Sequence, residues 1–262
     1  MRKLFLLVGL IALILSCNNI SKKSDKKENR KFTNIYVFGD GLSDMGRYGK
    51  LTNNHYPPSP PFYEGRWTNG KVWIENLADS LKISLKPENN FAMGGATTGY
   101  YNINEPLRVA LKLDSTALIM GLMTQIDLFL SQNTALDSSA LYVVWAGGHD
   151  FGSYLDYGQP DLKQYPPAEN IKTVIQKLQS KGAKYFIVGN MPDISATPAY
   201  ANTDKKDIAK QLVTDFNSAI DKIIADFEKE GKTKIYKVDA YAIFSDIATN
   251  AQKYGFKYWQ EA

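Results

Sequence analysis

The sequence predicts an α/β fold, a doubly wound sheet of about five parallel strands with helices on both faces. Two observations predict it. Short apolar runs rich in β-branched and aromatic residues, the kind that parallel sheets bury on both faces, occur near residues 35, 141, 185 and 234. Segments with apolar residues at helical spacing separate these runs, and a fifth strand is expected between Leu81 and Phe91. Functional residues are therefore expected at the carboxyl ends of the strands.

The amino-terminal residues are predicted to lie outside this fold. Arg2 and Lys3 precede the uncharged run Leu4–Leu15, which is typical of a secretory signal and falls short of the roughly 20 apolar residues of a membrane span. The single cysteine, Cys17, follows the run after one small residue, Ser16, and this ending resembles the bacterial lipobox. We predict a signal peptide over residues 1–16 and lipidation at Cys17. A cysteine within an ordinary signal or anchor is the alternative.

Residues 17–31 are predicted to form a polar tether after the lipidated Cys17. The run NNISKKSDKKENRK carries six basic residues against two acidic ones and little apolar surface to bury. The net charge of +4 belongs to the leader and tether, because subtracting their charge leaves the body at about −2. Nucleic acid is therefore not an expected partner. We expect an exported protein, lipid-anchored to a membrane of the bacterial cell envelope on its periplasmic or surface face.

Residues 32–262 are predicted to form one domain, with the 44% hydrophobic and 22% charged content of an ordinary globular protein. Strand Ile35–Phe38 comes first and runs into the tight turn Gly39-Asp40-Gly41. Tyr56–Arg66 is rich in proline and is expected to be a surface loop. The Thr-Asn-Gly sequence at 68–70 is expected to cap a helix that carries Trp73.

The remaining elements continue the alternation. Asn90–Gly99 is a glycine turn after an apolar approach, and the sequence Gly-Gly-His-Asp at 147–150 follows the second long strand. The predicted elements in order are helix Gly121–Leu130, strand Leu141–Trp145, helix Ala168–Lys181, strand Tyr185–Val188, helix Asp207–Glu230, strand Lys234–Val238 and helix Ala240–Tyr254.

Several of these segments, in this order, resemble the signature blocks of the GDSL lipase/esterase family, the SGNH hydrolases. NIYVFGDGLSDMGR resembles the first block, G-D-S-L-S-D, and Gly41 stands where the family has its nucleophilic Ser. NFAMGGATTG resembles the second block, in which a Gly N–H helps to form the oxyanion hole; we assign this role to Gly95, with Gly94 as the alternative. AGGHD resembles the third block, G-x-N-D, with His149 in place of the oxyanion Asn. GNMPDISATP resembles the fourth block.

The family's fifth block, an Asp-x-x-His that supplies acid and base, is expected after Phe256 and is absent up to Ala262. The histidines of the sequence are His55 and His149. Ser43 is expected to cap backbone rather than to attack a carbonyl. The resemblance therefore implies an SGNH, flavodoxin-like fold and an ester hydrolase of lipase, phospholipase or esterase type that is C-terminally truncated and inactive.

Two other functions stay open. The chain could be a non-catalytic lipoprotein that binds acyl groups or glycans, or an unconventional hydrolase in which His149 activates water. The expected partners are a lipid or another ester, as substrate or ligand, and the membrane through the lipid anchor. Asp40, Asp44 and Asp150 are expected to support the turns through hydrogen bonds to backbone. With two histidines, they offer no metal-ligand spacing, so neither a metal nor a cofactor is predicted.

Overall fold

A computed structural model describes residues 31–114 and 118–256. The predicted signal peptide, the lipidation site Cys17 and the tether up to residue 30 lie outside the described residues. Within the described ranges, no helix combines the length and the apolar character needed to cross a bilayer.

The described chain builds a sheet of four parallel strands, namely β1 (Ile35–Gly39), β2 (Leu141–Trp145), β3 (Tyr185–Gly189) and β4 (Lys234–Val238). Their order across the sheet is β1-β2-β3-β4, and each neighbouring pair is parallel. The predicted parallel α/β sheet is confirmed.

The segment predicted to hold a fifth strand runs along the outer edge of β1. Asn90 forms an isolated parallel bridge with Val37, and the N–H groups of Phe91 and Met93 donate to the carbonyls of Val37 and Gly39 at 2.7 and 3.0 Å. The buried Asn90 amide also donates to the Ser43 carbonyl and accepts from the Ala92 N–H, so the segment is tied to the turn after β1. The chain leaves β1 for one side and returns as β2 on the other, which creates a topological switch point between these strands.

Eight α-helices and three 3₁₀ turns accompany the sheet in the described ranges. The helices are α1 (Arg47–Leu51), α2 (Trp73–Ser80), α3 (Glu105–Ala110), α4 (Leu122–Gln132), α5 (Gly148–Tyr157), α6 (Pro167–Ser180), α7 (Lys206–Glu230) and α8 (Ala240–Thr249), and the turns are Pro87–Asn89, Ile194–Ala196 and Ala251–Tyr254. The predicted cap at residues 68–70 is wrong. α2 instead begins after Val72, whose N–H donates to the Glu75 carboxylate at 2.9 Å.

Alternate strand residues fill two apolar cores, one on each face of the sheet. On one face, strand residues such as Phe38, Val144 and Phe186 pack against α4, α6 and α7. On the other face, residues such as Val37 and Val143 pack against α2 and the loop that follows it. Burial on both faces explains why β1, β2 and β3 are continuous apolar runs, whereas the edge strand β4 carries two lysines and is partly exposed.

Candidate functional site

A pocket of about 520 Å³ opens at the carboxyl ends of β1 and β2, at the switch point of the sheet. It brings together five of the predicted site residues, Asp40, Gly41, Gly94, Gly95 and His149. Its lining also includes residues that sequence reasoning did not single out, namely Leu42, Trp67, Ile103, Asn104, Gly148, Met191, Pro192 and Ile194. Asp44 and Asp150 lie outside the lining.

Gly41 offers the pocket its backbone alone. A Cβ built on it would lie 3.1 Å from Cδ1 and 3.4 Å from Cγ of the Trp67 ring, so a side chain there needs the indole to shift by a few tenths of an ångström. The Gly41 N–H donates to no acceptor in the part of the chain that the structure describes. The position of the family nucleophile therefore holds a free amide and no attacking oxygen.

The two glycines of the following turn differ in what their amides do. The Gly94 N–H donates to Asp44 Oδ2 at 2.8 Å, whereas the Gly95 N–H finds no acceptor among the described residues. Gly95 has φ +83°, and a Cβ there would lie 2.4 Å from Nδ2 of Asn104 and 2.5 Å from Oδ1 of Asn102. Only glycine fits this position. The geometry favours Gly95 over Gly94 as a donor toward a ligand oxygen.

Asp44 joins the two turns that form the floor of the site. Oδ1 accepts from the N–H groups of Gly46 and Arg47, at 2.9 and 2.6 Å. Oδ2 accepts from Tyr48 and Gly94, at 3.2 and 2.8 Å. The carboxyl group is fully buried, and burial raises its pKa to about 6 against the opposing effect of these hydrogen bonds.

Of the other two predicted carboxylates, Asp40 lines the pocket and Asp150 lies outside the lining. Asp40 accepts from the Leu42 N–H at 3.0 Å, and burial raises its pKa to about 7. Asp150 accepts from the N–H and Oγ1 of Thr98, at 2.9 and 2.7 Å, and so fixes the glycine turn to the start of α5. Burial raises the pKa of Asp150 to about 6, and the charge of Asp40 raises it further.

His149 lies in the first turn of α5 and faces the pocket. No hydrogen bond to its ring occurs in the described part of the chain, so no carboxylate orients it. Burial lowers the pKa of His149 to about 4. The imidazole is therefore neutral at neutral pH and can donate one N–H, but it is a weak base.

Ser43, the nearest hydroxyl to Gly41 along the chain, is turned away from the pocket. It is fully buried, and its Oγ accepts a hydrogen bond from Nε1 of Trp73 at 3.0 Å. It cannot serve as a substitute nucleophile without rearrangement of the turn.

Trp67 is the principal wall that sequence reasoning missed. Its indole lies so close over Gly94 that a Cβ there would sit 2.0 Å from Nε1. It also contacts the Tyr48 ring at 6.1 Å and the Phe62 ring at 5.8 Å between centroids. Its position directly after a proline-rich loop could have indicated this role, since residues of surface loops often line binding sites.

In the described ranges, no group of three or more His, Cys, Asp or Glu side chains could hold a metal ion. The chemistry of the site is thus that of backbone amides, one neutral imidazole and one buried carboxyl group, with apolar walls. These groups can hold an oxygen-bearing ligand, but they include no activated nucleophile.

Fold and site together define the class: an SGNH-type ester hydrolase scaffold, with its signature turn after β1 and its glycine turn beside it. The family model described as GDSL-like Lipase/Acylhydrolase matches residues 35–261. The chain therefore belongs to the GDSL-like lipase/acylhydrolase family.

Similar proteins in several organisms carry related descriptions. The chain is 27% identical over 260 residues to a phosphatidylcholine-sterol acyltransferase of Aeromonas hydrophila, covering 97% of this chain and 70% of that protein. It is 25% identical to the thermolabile hemolysin of Vibrio parahaemolyticus, covering 85% and 49%, and 25% identical to a GDSL esterase/lipase of Arabidopsis thaliana, covering 100% and 82%. A solved lipolytic protein of the G-D-S-L family from Veillonella parvula superimposes with a TM-score of 0.49 at 14% identity, covering 83% of each chain.

Proposed function

We propose that this chain is a family member that binds an acyl or ester group in the 520 Å³ pocket without hydrolysing it. One observation carries the proposal: position 41 has no side chain, while the remainder of the pocket is formed around it. Loss of a nucleophile costs about 10⁶ in kcat in well-studied serine hydrolases.

The neighbouring groups support the loss of hydrolysis. Ser43 is committed to Trp73, and His149 has a lowered pKa and no orienting carboxylate. Water activation by His149 would need a stronger base, because proton transfer is most efficient when the pKa lies near the working pH. The unconventional hydrolase is therefore the less favoured alternative.

The retained parts of the pocket support binding. The free amides of Gly41 and Gly95 can donate to a ligand carbonyl, as backbone donors do in oxyanion holes. Leu42, Trp67 and Met191 provide apolar surface beside them. This pairing of two amides with apolar walls suits an acyl group better than a glycan, whose many hydroxyls need polar partners.

The test pairs a rate with a binding constant. The full chain should hydrolyse p-nitrophenyl butyrate no faster than buffer, while 2-dodecanone, an uncharged ketone that mimics an ester, should change the tryptophan fluorescence on titration. Trp67→Ala should abolish that change. Hydrolysis that disappears in His149→Ala and persists in Ser43→Ala would overturn the proposal in favour of the unconventional hydrolase.

Restoring the nucleophile gives a second measurement. Gly41→Ser should crowd Trp67 and lower the free energy of unfolding by about 1–3 kcal/mol. Gly70→Ser is the matched control, because no atom lies within 4 Å of a Cβ built at Gly70. Equal stability of the two variants would show that Trp67 yields freely and that the pocket can still accommodate a family nucleophile.

We further propose that the protein is carried on the cell envelope as a lipoprotein, supported by the apolar run before Cys17 and the basic tether after it. Labelling of the cell with an alkyne-bearing fatty acid should mark the wild-type chain and not Cys17→Ala. Equal labelling of the two would contradict lipidation at Cys17.

A further inference from the structure

A second pocket, of about 900 Å³, shares no lining residue with the first. Much of its wall is flexible and apolar, with Met45, Leu51, Met93, Met120 and Leu128 among the lining side chains. Methionine-rich walls accommodate chains of varied shape. The volume lies in the range of pockets that bind small molecules.

Arg47 lines this pocket and is held in place from one side only. Its Nε donates to the Asn90 carbonyl at 2.8 Å, and its guanidinium lies 5.3 Å from the centre of the Phe91 ring. Its two terminal nitrogens have no acceptor among the described residues. A partly buried guanidinium normally pairs with a carboxylate or phosphate, so these nitrogens point to a ligand anion.

The nearest carboxylate cannot supply that anion. Asp44 already accepts four backbone hydrogen bonds, two on each oxygen, and a carboxylate has about four acceptor sites. Lys50 adds a second cation to the lining, exposed and without an ion-pair partner in the described chain, while Glu88 adds one negative charge. Among the lining residues, two cations and one anion leave one positive charge. Asp44 also acts electrostatically on Arg47, but it lies outside the lining and both of its oxygens are occupied by backbone donors.

We propose that this second pocket binds a single-chain amphiphile with one carboxylate, a long-chain fatty acid, with the chain on the methionine-rich wall and the carboxylate on Arg47 and Lys50. A planar carboxylate matches the paired nitrogens of a guanidinium. A single negative charge balances the lining, whereas a dianionic phosphate would face Glu88 with excess charge. This site is separate from the pocket of the proposed function and does not depend on it.

The experiment compares two ligands on the full chain. 11-(Dansylamino)undecanoic acid should bind with enhanced dansyl fluorescence, and its methyl ester should bind at least about tenfold more weakly, because charged hydrogen bonds contribute more than about 1.4 kcal/mol. Binding of neither would overturn the proposal. Since the first pocket is itself proposed to bind esters, equal affinity for acid and ester overturns the proposal only if Arg47→Met also leaves the affinity for the acid unchanged.

Matched variants locate the site. Arg47→Met and Lys50→Met should weaken binding of the acid several-fold and leave the ester unchanged, with folding checked by thermal melting. Met191→Ala, whose side chain lines the first pocket and the core but not the second pocket, should leave the affinity for the acid unchanged once folding is checked by thermal melting. Loss of acid binding in Met191→Ala but not in the two cation variants would place the probe in the first pocket. That result would overturn this inference while supporting the proposed function.

Discussion

At the residue scale, the site depends on glycines that act for different reasons. Gly41 removes a reactive side chain, whereas Gly95 is required by a left-handed backbone and by the closeness of Asn102 and Asn104. The sequence could place both residues at the pocket, because glycine turns after predicted strands are recognisable. It could not tell Gly95 from Gly94, because the difference lies in the distant carboxylate that occupies the Gly94 amide.

A substitution at Gly95 separates strain from crowding. Gly95→Ala should lower the free energy of unfolding by about 1–2 kcal/mol for the left-handed backbone, and by about 1–3 kcal/mol more for contact with Asn104. Gly158→Ala carries only the first penalty, since Gly158 has φ +71° and no atom within 4 Å of its Cβ position. Urea unfolding of both variants measures the difference. Equal losses would mean that Asn104 moves aside at no cost.

At the element scale, one ion pair holds the proline-rich loop against the site. Arg66 donates from Nε and a terminal nitrogen to the two carboxylate oxygens of Glu75, at 2.8 and 2.9 Å, and both side chains are only 11% exposed. This pair fixes the loop to α2 and so places Trp67 over the glycine turn. Sequence patterns do not reveal such a pair, which explains why Trp67 was missed while the helices and strands were found.

Breaking that pair should therefore loosen the pocket wall. Glu75→Gln keeps an acceptor for the Val72 N–H but removes the charge, and should cost about 1–3 kcal/mol in the free energy of unfolding. Lys71→Met breaks the exposed Lys71–Asp79 pair and should cost less than about 1 kcal/mol. Fluorescence anisotropy of the tryptophans should fall in Glu75→Gln alone. A fall in both variants would assign the effect to α2 as a whole.

The predicted fifth strand illustrates the limit of pattern at this scale. The apolar residues around Phe91 indicated an extended segment, and the segment is extended beside β1. The Asn90 amide in addition ties this segment to the turn after β1 by donating to the Ser43 carbonyl. Local sequence does not show this hydrogen bond, because Asn90 and Ser43 are 47 residues apart in the chain.

At the scale of the whole molecule, the buried carboxyl groups predict how stability depends on pH. Asp40, Asp44 and Asp150 have pKa values raised by burial to about 7, 6 and 6, so the folded state holds their protons more tightly than the unfolded state. Their contribution is complete below pH 4 and is lost as the pH rises toward 7. His149, with its lowered pKa, acts in the opposite direction between about pH 4 and 6.5.

The three carboxyl groups together outweigh His149. The free energy of unfolding should therefore fall as the pH rises from about 4 to about 7. Asp40→Asn keeps an acceptor for the Leu42 N–H and removes one titration, so its stability relative to wild type should increase over that range by up to about 4 kcal/mol. Chemical unfolding at pH 4, 5.5 and 7 measures this. Asp79→Asn is the matched control for the loss of an exposed carboxylate. A parallel line for Asp40→Asn would contradict burial as the cause.

The hydrogen bonds of the signature turn have one further consequence, for how such a protein changes over evolutionary time. Asp40 and Asp44 accept the bonds that hold the turn, and every donor to them is a backbone N–H. None of these bonds uses a side chain at position 41. Selection for the hydrogen bonds of the turn and selection for hydrolysis therefore act on different residues of the same turn. A lineage can lose the chemistry in one substitution and still inherit the scaffold intact.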